Sequence, residues 1–313
     1  MQLIIGLSVV IVAFDGEMPR VLATRREGDL AALPFGAFDP TQHRTFELAL
    51  RGWVKAQTGF QLGYVEQLYT FGDRDREGPE ATLQDAPEDS RIISVGYLAL
   101  TPEAERLPAA FEARWRGWYR QFPWEDHRSG RPQMLDELIL PRLQTWASGH
   151  AERLSRAQSA FAFNGETWRD EAVLERYELL YEAGLVEECA RDRGLPLPQE
   201  RLGTAMASDH RRILATAMSR LRAKIRYRPV AFELMPDLFT LTALQSTVEG
   251  ILGQRLHKQN FRRALERTGL VEGTGRMQSS TGGRPAELYR FKREMLKQIQ
   301  ARGLSAPVLR PDP

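Results

Sequence analysis

From Phe239 to Phe291 the chain reads FTLTALQSTVEGILGQRLHKQNFRRALERTGLVEGTGRMQSSTGGRPAELYRF. Thr240 is placed to cap a helix, because its hydroxyl can accept from an amide of the first turn. Leu241, Leu244, Val248, Ile251 and Leu252 follow as one apolar stripe, and Gly253 supplies the stop. After a short turn a second helix spans about residues 257–268. It turns Phe261, Ala264 and Leu265 inward and presents Lys258, Gln259, Arg262, Arg263 and Glu266 on the opposite face. Residues 270–276 and 286–291 read as two strands, joined by a loop of Ser279, Ser280, Thr281, Gly282, Gly283, Arg284 and Pro285. Helix, turn, helix and a hairpin with a basic tip is the order of a winged helix-turn-helix, whose second helix is placed to enter a major groove.

Candidate DNA contacts follow from that geometry. Lys258, Arg262 and Arg263 suit phosphates or guanine edges, while Gln259 and Asn260 suit adenine. Arg284 at the wing tip suits a narrow minor groove. Thr242 and Arg290 complete the set. The Gly-Gly pair is no phosphate loop, since no Gly-Lys-Ser/Thr follows it. The competing reading, a helical hairpin with a merely solvated charged face, is weakened by the wing and by the charge distribution. Residues 209–296 hold 17 Lys/Arg against 8 Asp/Glu, a balance of +9 within a chain whose net charge is only +2. Such asymmetry points to a nucleic-acid module joined to something that is not one.

Upstream of this stretch, residues 210–226 form a strongly periodic helix. Ile213, Leu214, Ala217, Met218, Leu221 and Ile225 make its stripe, with Arg211, Arg212, Arg220, Arg222 and Arg226 expected off it. Over the whole chain, 313 residues with 42% apolar and 27% charged content suit two domains with a sizeable core. A single cysteine, Cys189, excludes an internal disulfide and a multi-cysteine metal cluster, and fits a reducing cytoplasm. The apolar run Leu3–Phe14 lacks a preceding basic residue and a following cleavage site, and is too short to span a bilayer. It reads as a buried strand turning at Asp15-Gly16-Glu17 into a second strand at residues 19–24. A soluble, cytoplasmic protein is expected.

A loop at residues 33–40 leads to a helix at 44–57, with Phe46, Leu50, Trp53 and Val54 on one side. Residues 64–71 and 92–100 read as strands around an acidic loop at 73–90. Residues 103–150 read as helical and carry Trp115, Trp118, Tyr119, Phe122 and Trp124 as a packed layer. Another helix or helix pair occupies 168–190, and Gly194-Leu-Pro-Leu-Pro198 marks a boundary. The last residues, 303–313, read as a loose tail. The lone histidines His127, His150 and His210 lack ligand spacing.

The strand–loop–helix at residues 33–60 resembles the Nudix fold. Aligning the end of a Nudix box on Thr58-Gly59-Phe60 puts Gly52-Trp53-Val54-Lys55-Ala56-Gln57 where Arg-Glu-apolar-any-Glu-Glu stands in a working box. The earlier glycine survives best as Gly36, two residues too far away, and Glu47 is the only Glu between Gly36 and Gly59. Nudix hydrolysis needs several carboxylates to hold divalent cations against a pyrophosphate, so the reading is a dead hydrolase fold with no catalytic residues and no metal.

A degenerate Nudix domain joined to a winged helix resembles the Nudix-related transcriptional regulators of NAD metabolism. The matching motifs are Leu221-Arg-Ala-Lys-Ile-Arg-Tyr-Arg-Pro229, Phe232-Glu-Leu-Met-Pro236, Phe239-Thr-Leu-Thr-Ala-Leu-Gln245, Asn260-Phe-Arg-Arg263, Gly283-Arg-Pro-Ala-Glu-Leu-Tyr-Arg-Phe291 and Tyr64-Val-Glu-Gln-Leu-Tyr-Thr-Phe-Gly-Asp73. The segment from Trp115 to Arg131 and Leu179-Leu-Tyr-Glu-Ala-Gly-Leu185 are most similar to the NadQ-type branch. The fold class expected is α+β, with a Nudix-like α/β/α domain at 1–125, a helical connector at 126–205, a winged helix-turn-helix at 206–296 and a tail at 297–313. The resemblance implies a homodimeric repressor of NAD biosynthesis genes on a palindromic double-stranded operator, with a nucleotide effector: NAD, ATP or ADP-ribose. Arg25, Arg26 and Arg91 are the candidate effector contacts. Two other readings stand beside it. One is a residual pyrophosphohydrolase on an NAD-like nucleotide, with metal ligands recruited from Asp73 or Glu66. The other is the same architecture answering to an unrelated ligand.

Overall fold

The computed structural model describes residues 3–25, 30–72, 90–102, 113–226, 228–278, 285–292 and 294. Its first half is a seven-stranded mixed sheet made of β1 (Leu3–Phe14), β2 (Pro19–Arg25), β3 (Ala31–Ala32), β4 (Phe35–Ala37), β5 (Tyr64–Phe71), β6 (Arg91–Leu100) and β7 (Ala113–Gly117). The path runs β3-β2-β1-β6-β5, with β4 beside β1 and β7 beside β2. Only β1 and β6 pair in parallel; the other pairings are antiparallel. Strand β1 forks, giving Gly6–Ser8 to β4 and Val12–Phe14 to β2.

The period-2 alternation of β1 explains the two layers around this sheet. Leu7, Val9 and Ile11 point into a core with Ala49, Leu50 and Val54 of helix α1 (Phe46–Thr58). Val10 and Val12 point into the opposite core, against the helices of the second half. Thr45 caps α1 by accepting from the Leu48 amide, and Gly59 ends it in the left-handed region at φ 72°. The hairpin turn is held by Asp15, whose carboxylate accepts from the amides of Glu17 (3.0 Å) and Met18 (2.9 Å).

One expectation fails here. Residues 113–117 form strand β7, paired with β2 through Leu22 and Trp115, and Trp118–Arg120 and Pro123–Glu125 are short 3₁₀ turns. The aromatic spacing suggested a helix, but edge pairing with β2 and the breaks at Gly117 and Pro123 override it. The aromatics do form a packed layer, and Trp118, Phe122 and Trp124 are completely buried. Regular helix begins later, with a π-helical turn (Leu135–Ile139) running into α2 (Leu140–Trp146), then α3 (Ala151–Phe161), α4 (Val173–Glu182) and α5 (Glu187–Asp192).

Helix α6 (His210–Ile225) crosses the sheet on the face opposite α1 and packs against α4. A 3₁₀ segment (Val230–Leu234) leads to α7 (Leu241–Leu252), α8 (Lys258–Thr268) and the hairpin β8 (Val271–Gln278) and β9 (Ala286–Phe291). Of the arginines placed off the apolar stripe of α6, Arg211 and Arg222 are nonetheless buried, at 1% and 0% exposure. No helix among the described residues is long and apolar enough to cross a membrane.

Candidate nucleic-acid interface

Helices α7 and α8 are built as their stripes demand. Thr240 accepts from the Ala243 amide at 3.1 Å, and Gly253 ends α7 at φ 71°. Phe261 and Leu265 of α8 are buried, while Ala264 is only half-buried. Lys258, Gln259, Asn260, Arg262 and Arg263 are all exposed. Five residues, three of them cationic and two amides, therefore share the first half of the second helix, as base-edge readout requires.

The turn between the helices is fixed by a residue that periodicity did not single out. Glu249 is buried, and its carboxylate accepts from the Leu256 amide (3.0 Å), the Gln245 amide group (2.8 Å) and the Arg255 guanidinium (2.8 Å). A carboxylate that collects three donors across a turn sets the angle between the helices it joins. The visible signal was a Glu inside an apolar stripe, which has to be paired if buried.

The wing is anchored to the same unit. Phe239, two residues before α7, exchanges two backbone hydrogen bonds with Tyr289 of β9, at 3.0 and 2.8 Å, and so ties the entry to α7 to the wing. Thr242 is exposed on the first turn of α7, three residues after the bridge to β9. Arg290 faces Glu272 across the hairpin and pairs with it. Arg284 lies outside the described residues.

Below the helix-turn-helix is a buried ionic network. Glu125, fully buried, binds Arg176 through Nε (2.6 Å) and Nη2 (2.8 Å), and Arg222 through Nη1 (2.7 Å). Burial pushes the Glu125 carboxyl up, but the two guanidiniums outweigh it and hold it below the ordinary carboxylate range. Arg222 also donates to the Ile251 carbonyl (2.8 Å), Tyr119 donates to the Gly250 carbonyl (2.7 Å), and the His127 amide donates to the Gly253 carbonyl (2.7 Å). The last turn of α7 is thus held by groups from the turn after β7, the connector and α6. Contact there is close: a Cβ on Gly250 would lie 2.5 Å from the Phe14 ring, so α7 rests directly on the β1–β2 turn. Burial, followed by the charges of Arg176 and Arg222, drives the His127 imidazole down to about 4.

In the front half, the box-like helix is joined to β4 by neutral groups. At two positions where a working box has Glu, Trp53 donates from Nε1 to the Ala37 carbonyl (2.9 Å) and Gln57 hydrogen-bonds both ways with the Phe35 backbone. The Trp53 ring also covers Gly36. Glu47, the one Glu in this stretch, pairs with Arg51 at 2.8 Å. Glu66 pairs with Lys224, and Asp73 lies outside the described residues. Among the described residues no group of three His, Cys, Asp or Glu side chains is placed to hold a metal. Of the effector candidates, Arg91 donates to the Gly72 carbonyl (2.6 Å) at the start of β6, facing Leu3 of β1. Arg25 pairs through its backbone with Ala31, and Arg26 lies outside the described residues. Arg25 and Arg91 sit on strands that do not pair with each other.

The chain thus joins a mixed sheet flanked by helices to a helix-turn-helix with a β-hairpin wing. Residues 231–291 match the family model of the NrtR DNA-binding winged helix domain. The whole chain has the fold of Shewanella oneidensis NrtR, with a TM-score of 0.57 at 19% identity, covering 98% of this chain and 99% of that one. The same protein complexed with a 27mer DNA gives 0.56 at 18% identity, with 99% of each chain covered. A MutT/nudix family protein from Enterococcus faecalis gives 0.53 at 16% identity, over 93% of this chain and 87% of that one. A curated relative, the ADPR responsive transcriptional repressor NtrR of Acinetobacter baylyi, is 45% identical over 93 residues, 30% of this chain and 37% of that protein. The match thus spans about a third of that relative's length.

Proposed function

We infer that this chain is a DNA-binding transcriptional repressor controlled by a nucleotide, and that its Nudix-like domain senses rather than hydrolyses. The observation that carries the reading is the exposed face of α8, with Lys258, Gln259, Asn260, Arg262 and Arg263 on a helix whose entry turn is fixed by Glu249. Thr242 and Arg290 extend that surface to the first helix and the wing, and Arg284 is proposed as a further contact on its sequence alone. The name of the curated relative favours ADP-ribose among the effectors, ahead of NAD and ATP. Genes of NAD biosynthesis are the proposed targets, read by a homodimer on a palindromic operator with half-sites about one helical turn apart.

The coupling follows from the contacts under α7. Because the β1–β2 turn, Tyr119, His127 and Arg222 all touch its last turn, a ligand that favours one arrangement of the sheet also favours one placement of the recognition helix. The test is a mobility shift on DNA from upstream of the NAD biosynthesis genes, with and without ADP-ribose, NAD and ATP. Specific binding altered by one of these supports the repressor and identifies its effector. Absence of specific binding, together with magnesium-dependent turnover of a nucleotide, would overturn it.

A further inference from the structure

Helix α6 carries Arg220 and Lys224 one turn apart, and Arg228 continues the same face because its amide still donates to the Lys224 carbonyl at 2.8 Å. These three cations look across an open cleft of about 450 Å³ to Tyr64, Val65 and Glu66 on β5. Tyr64 and Leu68 belong to the core on the α6 face of the sheet. The cleft is therefore on the opposite face from α1 and is separate from the place a Nudix box would occupy.

Its electrostatics are unbalanced. Among the described lining residues Glu66 is the one carboxylate, and Lys224 already pairs with it. Arg220 makes only a long contact with the Leu68 carbonyl (3.4 Å), and Arg228 has no side-chain partner among the described residues. Burial, and then the charge of Arg228, push the Lys224 ammonium below its ordinary range, so the like charges are felt where they stand. Three cations against one carboxylate, at a single helical spacing beside a phenol ring, suit an extended polyanion of small size.

We propose that this cleft binds the diphosphate of a small phosphorylated ligand through Arg220, Lys224 and Arg228. It rests on the reading of the chain as a nucleotide-responsive regulator and gives that response a location. Arg228 also borders a narrow apolar crevice where Ile225, Phe232, Leu244 and Leu265 meet. An anion drawn onto Arg228 therefore acts on the packing between α6 and the winged helix.

The experiment is calorimetric titration of the full chain with inorganic pyrophosphate and, separately, with ADP-ribose, in wild type, Arg220→Gln and Arg228→Gln. Both positions are exposed, and thermal unfolding checks that each variant stays folded. Loss of a charge-assisted contact should weaken pyrophosphate by about tenfold or more in each variant. If ADP-ribose weakens in parallel, the cleft is the effector's diphosphate site. If pyrophosphate behaves as expected but ADP-ribose does not bind the wild type, the cleft stands and the nucleotide reading falls for that ligand. ADP-ribose or pyrophosphate bound equally well by wild type and both variants would overturn the cleft while leaving the regulator reading intact. So would pyrophosphate that fails to bind the wild type at all, or variants that lose operator affinity alone, since the cations would then serve DNA.

Discussion

Helices α6 and α8 look alike as strings of letters, each an amphipathic segment with several arginines, yet two arginines of α6 are buried where those of α8 are exposed. In α6, Arg222 is completely buried and Arg211 nearly so; Arg211 is tied to Glu188 (3.1 Å) and the Gln121 carbonyl (3.1 Å). In α8, Arg262 and Arg263 are exposed. Arg211 and Arg222 of the first helix hold sheet, connector and winged helix together, while Arg262 and Arg263 of the second stay open to solvent. The regional balance of +9 thus overstates what DNA can meet, because part of it is neutralised inside the protein by Glu125 and Glu188.

The strongest test of this contrast is Arg222→Ala. It leaves Glu125 buried with only Arg176, and removes the donors to Ile251 and Tyr119. Breaking a buried pair in this way costs about 3–5 kcal/mol, read as a lower denaturation midpoint. A loss below about 1 kcal/mol would mean that the arginine is dispensable to the fold and the contrast with α8 is false.

His127 sharpens the same side of the comparison through pH. Its imidazole titrates near 4 in the folded protein against 6.5 when free, so the unfolded chain takes up the extra proton between those values. Stability from this group is complete above pH 6.5 and is lost as pH falls toward 4, about 3 kcal/mol in all. Asp170, buried and pushed up to about 6, works in the opposite sense over an overlapping range. The readout is therefore the difference between wild type and His127→Gln. The wild type should lose ground to the variant as urea melts move from pH 7 to pH 4, and a constant difference would refute the burial argument.

On the other side, Arg262→Ala and Arg263→Ala should leave stability within about 0.5 kcal/mol, since neither is packed. Operator binding should fall by about 1–3 kcal/mol for whichever touches bases. Unchanged binding in both would remove α8 from the interface.

What was legible in the sequence divides along the same line. The apolar run of β1 with its turn at Asp15-Gly16-Glu17, the Thr240 cap, the stop at Gly253 and the hairpin after α8 are all local patterns, and the structure follows them. The Glu125–Arg222 pair was not legible, because its members are 97 positions apart and a charge does not announce its partner. Residues 113–117 were misread for a related reason, since pairing with β2 is a distant interaction that outweighs local spacing. The missing box carboxylates could be seen in the sequence, but not that Trp53 and Gln57 join α1 to β4 in their place.

The smallest expected effect bears on where the two regions meet. Thr240 accepts the Ala243 amide at 3.1 Å and follows Phe239, which is paired with Tyr289 in the wing. Thr240→Ala removes the cap and should cost about 1 kcal/mol of stability. The wing pairing uses backbone groups that the substitution leaves in place, so operator binding by the folded fraction should hardly change. If binding instead falls by more than the stability loss, the first turn of α7 contributes directly to the DNA surface. Thr242 on the same turn would then rank with the α8 cations, and the recognition surface would begin one helix earlier than the exposed arginines indicate.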